Sequence, residues 1–174
     1  FEFKQNKVIS KKINISKKTK LELEKNLLLF FVGNTRKSSS ILKKQIKKTQ
    51  EKNQKTLNAL HSVKHLAESL YDSLNNSDIT KFGELLDAGW TAKKKFSSNV
   101  SNIKIDSIYD YALKNGAIGG KITGAGGGGH FILYCNENKQ KSLIKKLEKK
   151  GLTHIPFSFY NKKPKVINLA NFVG

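Results

Sequence analysis

Apolar residues along the chain fall into two spacings, a dense or alternating one suited to strands and a three-to-four-residue one suited to helices. Leu27-Leu28-Leu29-Phe30-Phe31-Val32 is a continuous apolar run that stops at Gly33. It predicts a strand buried on both faces at the centre of a sheet. Before it, Phe1 to Ile15 alternates weakly through Val8-Ile9 and Ile13-Asn14-Ile15, which predicts one or two edge strands. After it comes a polar turn, Asn34-Thr35-Arg36-Lys37-Ser38-Ser39-Ser40, whose serines suit the cap of a following helix. Ile41, Leu42 and Ile46, then Leu57, Leu60, Val63, Leu66, Ala67, Leu70 and Leu74, lay down a helical stripe, bent or broken by the polar stretch Lys47 to Thr56. Asn75-Asn76-Ser77-Asp78 ends that helix and caps the next, which runs through Ile79, Phe82, Leu85, Leu86 and Trp90 to Phe96. A further helix starts near Ser101-Asn102, carries Ile105, Ile108, Tyr109, Ala112 and Leu113 on one side, and stops at Asn115-Gly116. Ala117 to Thr123 and Phe131 to Cys135 predict a hairpin-like strand pair around a glycine loop. Lys139 to Lys150 predicts an amphipathic helix ended by Gly151, and Thr153 to Tyr160 a last strand. Helices interleaved with a mainly antiparallel sheet make a two-layer α+β domain.

The loop between that strand pair, Gly124-Ala125-Gly126-Gly127-Gly128-Gly129, is the chain's most informative segment. Glycine tolerates positive φ and can turn successive N–H groups toward one anion, so such loops make anion-binding concavities. The spacing Gly124-x-Gly126-x-x-Gly129 satisfies the dinucleotide fingerprint, but that fingerprint needs a helix after it, and Phe131 to Cys135 reads as a strand. A Walker A loop also fails, because His130-Phe131 stands where Lys-Ser/Thr is required. A plain flexible linker stays open, although the flanks are apolar rather than polar.

At 174 residues the chain is sized for one core and one domain. Its formal charge of +20 would ordinarily suggest nucleic acid or an anionic membrane. Yet Arg36 is the only arginine, and the lysines are scattered rather than gathered. Base readout and stacking favour arginine, so solvated lysine faces that help to attract phosphorylated ligands are the better reading, with no nucleic acid and no membrane expected as partner. The single Cys135, in an apolar strand-like run, excludes an intrachain disulfide and is expected to be buried. His61 and His65 lie one helical turn apart, but Ser62 stands where a zinc motif needs Glu, and no metal site is expected. The chain opens on Phe1-Glu2-Phe3 without methionine or a signal-peptide pattern and reads as part of a longer, cytoplasmic polypeptide.

The segment Ala117-Ile118-Gly119-Gly120-Lys121-Ile122-Thr123 with the six loop residues resembles the third motif of the GHMP small-molecule kinases. Leu27 to Ser39 and Ser101-Asn102-Ile103-Lys104-Ile105-Asp106 bring the chain closer to one branch, the D-glycero-D-manno-heptose 7-phosphate kinases. The resemblance implies a C-terminal GHMP domain of ferredoxin-like type over residues 1–174. It also implies transfer of the ATP γ-phosphoryl group, with Mg2+, to the anomeric hydroxyl of the heptose 7-phosphate. L-fucose kinase-like proteins share these features. The family's phosphate-binding loop and its candidate catalytic Asp have no counterpart here, so an N-terminal ATP-binding domain is implied as missing. The fragment alone is then expected to be inactive, with apolar surface exposed where that domain would sit.

Phosphoryl transfer depends on positioning and charge neutralisation more than on covalent help. On that logic Gly124, Ala125, Gly126, Gly127, Gly128 and Gly129 would bring backbone donors near the phosphoryl group, or hold the phosphate loop in shape. Thr123 would bond the sugar or a phosphate. Arg36 suits bidentate phosphate binding, and Lys121 and Asp106 are further substrate candidates. Each has a plainer reading: a surface arginine, a solvated strand lysine, and an acid placed by the dipole of its helix. No catalytic residue is assigned. A basic nucleic-acid-binding domain and a non-catalytic domain of the same fold remain as alternatives.

Overall fold

The computed structural model of the chain describes residues 1–33 and 38–160. The polar turn containing Arg36 and the segment after Tyr160 lie outside the described residues. In chain order the elements are β1 (Glu2–Lys4), β2 (Lys7–Ile9), α1 (Lys17–Asn26), β3 (Leu27–Phe31), α2 (Ser38–Gln50), α3 (Gln54–Asn75), α4 (Ile79–Lys94), α5 (Ile103–Lys114), β4 (Ala117–Ile122), β5 (His130–Cys135), α6 (Glu137–Glu148) and β6 (Thr153–Ile155). The main sheet has the order β4-β5-β3-β6, antiparallel throughout. With α5 between β3 and β4 and α6 between β5 and β6, this is the β-α-β-β-α-β ferredoxin-like unit.

Alternation along the inner strands decides what covers each face. Leu28 and Phe30 of β3 and Phe131, Leu133 and Cys135 of β5 join one buried cluster with Ile105, Ile108 and Ala112 of α5 and Leu143 and Leu147 of α6. Leu27 and Tyr134 point the other way, into a second cluster with Leu23 of α1 and Ile79 and Leu86 of α4. The continuous apolar run of β3 therefore serves two cores, as its lack of polar alternation requires. Burial raises the pKa of the Cys135 thiol.

Helix boundaries follow side-chain caps. Asp78 accepts from the Lys81 amide at 2.9 Å and Asn102 from the Ile105 amide at 3.0 Å, each relieving an orphan donor of a first turn. The long stripe is split at Glu51–Asn53, where Asn53 caps α3 by accepting from the Thr56 amide at 3.1 Å. The stripe of α3 is only partly covered: Leu57, Leu60, Val63, Leu66 and Leu70 are half-buried.

Four segments differ from expectation. β1 and β2 pair with each other as a separate hairpin rather than edging the main sheet, and Phe1 and Phe3 remain 86% and 78% exposed. Ile13 to Ile15 forms no strand. The last strand stops at Ile155, because Pro156 brings no N–H to the ladder. Beyond it the Phe159 amide donates to Glu24 on α1. Helix α1 itself has no counterpart among the expected elements; Ser16 caps it by accepting from the Thr19 amide at 2.9 Å.

The tightest approach joins α4 to the edge strand. A Cβ on Gly119 would come within 2.0 Å of the Gly83 carbonyl and 3.0 Å of the Asp87 amide, both helix backbone. Gly119→Ala is expected to cost roughly 3 kcal/mol or more by overpacking. Urea unfolding followed by fluorescence of the single, fully buried Trp90 reads it out.

Candidate functional site

The glycine loop closes the β4–β5 hairpin, and its backbone is fixed from three sides. Across its base, the Thr123 amide donates to the His130 carbonyl at 2.8 Å, extending the ladder past β4. At its far end the Val32 amide donates to the Gly129 carbonyl at 2.9 Å, which ties the loop to the exit of β3. In the middle the Gly127 amide donates to the Val100 carbonyl at 2.8 Å, so the loop leans on the α4–α5 connection. Gly124, Gly126, Gly127, Gly128 and Gly129 all take positive φ, from +69° to +150°. A side chain at Gly126 would also press to 2.6 Å from the Val100 carbonyl. Glycine is required there by conformation and by space.

A cleft of about 510 Å3 opens between this loop, the end of β3 and the start of α5, lined by Val32, Gly33, Ser101, Asn102, Gly127 and Gly128. The first-turn amides of α5 and the positive end of its dipole face the same region, which favours an anionic ligand. On its other side the loop meets α4: the Lys93 ammonium donates to the Gly124 carbonyl. Burial, with the Lys121 ammonium adding to it, lowers the Lys93 pKa to about 8.

The candidates from sequence are therefore partly gathered. Thr123 and the loop glycines stand together, with Thr123 and Gly124 exposed, and Lys121 sits half-buried at the loop's entry. Asp106 is engaged elsewhere: its Oδ1 accepts from Lys94 Nζ at 3.1 Å and from Ser101 Oγ at 2.9 Å, bracing the end of α4 against the start of α5. Arg36 lies outside the described residues. His130 stacks obliquely on its cross-strand neighbour Phe31, with ring centroids 5.2 Å apart. Lys93 and Val100 were not anticipated. The Lys93-Lys94-Lys95 run reads as ordinary charge at a helix end, and nothing in it says which lysine reaches the loop. Behind the loop, the Tyr109 hydroxyl donates to Asp87 Oδ1 at 2.7 Å and lies 3.2 Å from the Gly120 carbonyl, and burial raises its pKa strongly. Among the described residues no group of three His, Cys, Asp or Glu side chains is placed to hold a metal ion. No helix among them is long and apolar enough to cross a membrane.

The β4–β5 hairpin of this ferredoxin-like sheet thus carries a glycine loop that is braced at both ends and in its middle. Residues 70–152 match the family GHMP kinases C terminal, and the chain carries a GHMP kinase C-terminal domain. It is similar to the D-glycero-alpha-D-manno-heptose 7-phosphate kinase of Campylobacter jejuni, 35% identical over 91% of this chain and 46% of that protein. It is also similar to the bifunctional fucokinase/GDP-fucose pyrophosphorylase of Arabidopsis thaliana, 26% identical over 73% of this chain and 12% of the relative. The crystal structure of L. major mevalonate kinase with R-mevalonate shares the fold, with a TM-score of 0.64 and 21% identity over 71% of this chain and 38% of that one. The chain thus spans less than half the length of these relatives.

Gly126→Ala must shift the loop off Val100. The Gly127 amide is expected to exchange slowly with deuterium in the parent and to lose at least tenfold protection in the variant, since a lost net hydrogen bond is worth about 1 kcal/mol and the left-handed φ adds about 1–2 kcal/mol. Unchanged exchange would show that the Val100 contact does not hold the loop.

Proposed function

We propose that this chain is the C-terminal half of a sugar kinase that transfers the γ-phosphoryl group of ATP to the anomeric hydroxyl of D-glycero-D-manno-heptose 7-phosphate. The observation that carries the reading is the braced glycine loop, which faces a cleft shared with the N-terminus of α5 and keeps lysines at its edge. The likeness to the Campylobacter jejuni heptose kinase over 91% of the chain supports the choice of sugar. In this reading an N-terminal domain supplies the nucleotide-phosphate loop and the general base, and covers the exposed apolar face of the β1–β2 hairpin. Gly124 to Gly129 fix the orientation of the phosphoryl acceptor region, and Thr123 hydrogen-bonds a sugar hydroxyl or phosphate oxygen. Lys121 and Arg36 neutralise phosphate charge. Asp106 contributes through its bridge to Lys94 and Ser101, setting the start of α5 that lines the cleft.

A fucokinase-like specificity is the second reading, favoured by the 26% identity to the plant fucokinase over 128 residues. The two differ in whether the acceptor carries a phosphate ester, and charge-assisted contacts to such an ester are worth roughly 1.5–3 kcal/mol. An ADP-release assay on the full-length protein is expected to prefer heptose 7-phosphate over unphosphorylated heptose by roughly 10- to 100-fold in kcat/KM, with no turnover of fucose or galactose. The 174-residue chain alone is expected to be silent. Turnover of fucose without heptose 7-phosphate would move the assignment to the second reading; silence of the full-length protein on every sugar would end both.

A further inference from the structure

Lys93 is a cation in an unusual setting. It lies in the last turn of α4, half-buried, with its ammonium on the Gly124 carbonyl. Lys121 approaches from β4: strand alternation puts it on the same side as Gly119, the side that meets α4. Burial and the Lys121 charge act on Lys93, and among the described residues no carboxylate offsets them. Asp87 on α4 and Asp106 at the start of α5 are occupied, Asp106 by Lys94 and Ser101, and Asp87 by the Tyr109 hydroxyl. Two lysines brought together without an acid destabilise each other and the fold, and desolvation adds to the cost. An anion between them replaces the repulsion with attraction to both ammonium groups and offsets the desolvation cost. The Gly124 carbonyl holds the Lys93 ammonium beside the loop while leaving it two further N–H donors.

We propose that Lys93 and Lys121 form a phosphate-binding cation pair at the edge of the glycine loop, with Lys93 bridging the Gly124 carbonyl to a phosphoryl oxygen of the ligand. The choice of ligand rests on the kinase reading above; the anion site itself does not. The shared chemistry is a phosphoryl group, which comes either from the nucleotide or from the phosphate ester of the sugar.

The linkage has a definite sign. A bound anion favours the charged ammonium, so it raises the Lys93 pKa from about 8 toward the ordinary lysine value. Binding is then full when Lys93 is protonated before the ligand arrives and weakens as the pH rises through 8. Affinity is expected to be about tenfold lower at pH 9 than at pH 7.

The test is a 13Cε-lysine NMR titration of the full-length protein with inorganic tripolyphosphate, with Lys93→Arg identifying the resonance. The proposal expects the Lys93 midpoint near pH 8 without ligand and at least one unit higher at saturation. Lys93→Met is expected to weaken tripolyphosphate at least tenfold at pH 7, and Lys93→Arg to keep binding while flattening its dependence between pH 7 and pH 9. Repeating the Lys93→Met comparison with the ATP analogue AMP-PNP and with heptose 7-phosphate identifies the source, since only the ligand that reaches the pair loses affinity. A Lys93 midpoint unmoved by tripolyphosphate, or full binding by Lys93→Met, would make Lys93 a strut for the loop and overturn the proposal. Because the midpoint is read on unsubstituted protein, a variant that fails to fold does not spoil the test. Tripolyphosphate binding through Lys93 in a protein silent on every sugar would retain the anion site and discard the kinase reading.

Discussion

The amide of Gly127 reaching the carbonyl of Val100 at 2.8 Å is the contact on which the site's geometry depends. It joins the β4–β5 hairpin to the connection between α4 and α5, two segments that the strand ladder alone would leave independent. Val100 is fully buried, so its carbonyl cannot turn to solvent, and losing its donor would cost more than the bond gains, about 1–3 kcal/mol. Only a residue at positive φ without a Cβ lets the chain come that close, which makes Gly126 the condition for the contact. From this constraint the cleft follows, because the loop, the exit of β3 and the start of α5 are brought to one place.

The rest of the fold holds that place still. β3 lies between β5 and β6, covered on one face by α5 and α6 and on the other by α1 and α4, so its end beside Gly129 has little freedom. α4 is pressed against β4 at Gly83 and Gly119 and carries Trp90, whose ring meets Tyr109 and Phe131 edge-on at 6.4 Å. The same closeness positions the last turn of α4 at the loop and delivers Lys93 to the Gly124 carbonyl. Packing in the core and charge at the site are thus set by one helix.

Much of this was legible along the chain. The run Leu27 to Val32 announced an inner strand, Asp78 and Asn102 announced helix starts, and the apolar flanks of the glycine loop announced a hairpin. What was missed had physical reasons. Helix α1 buries Leu23 while Leu21, two positions away, is 55% exposed, and a pair so spaced reads as a strand or as nothing. The cap at Ser16 was the available signal. The β1–β2 hairpin alternates like a strand pair, but alternation does not name its partner. At the site, residue types pointed to phosphate chemistry, yet only tertiary packing chose Lys93 among three adjacent lysines and turned the Asp106 carboxylate onto Lys94 and Ser101.

Rigidity of the glycine loop is the central claim, since a run of glycines that merely links two strands would have no fixed cleft to offer. Backbone 15N relaxation at residues 124–129 tests it on the ps–ns timescale. The braced loop predicts order parameters near those of the strands, about 0.85, whereas values below about 0.6 would mark a flexible linker and contradict the account.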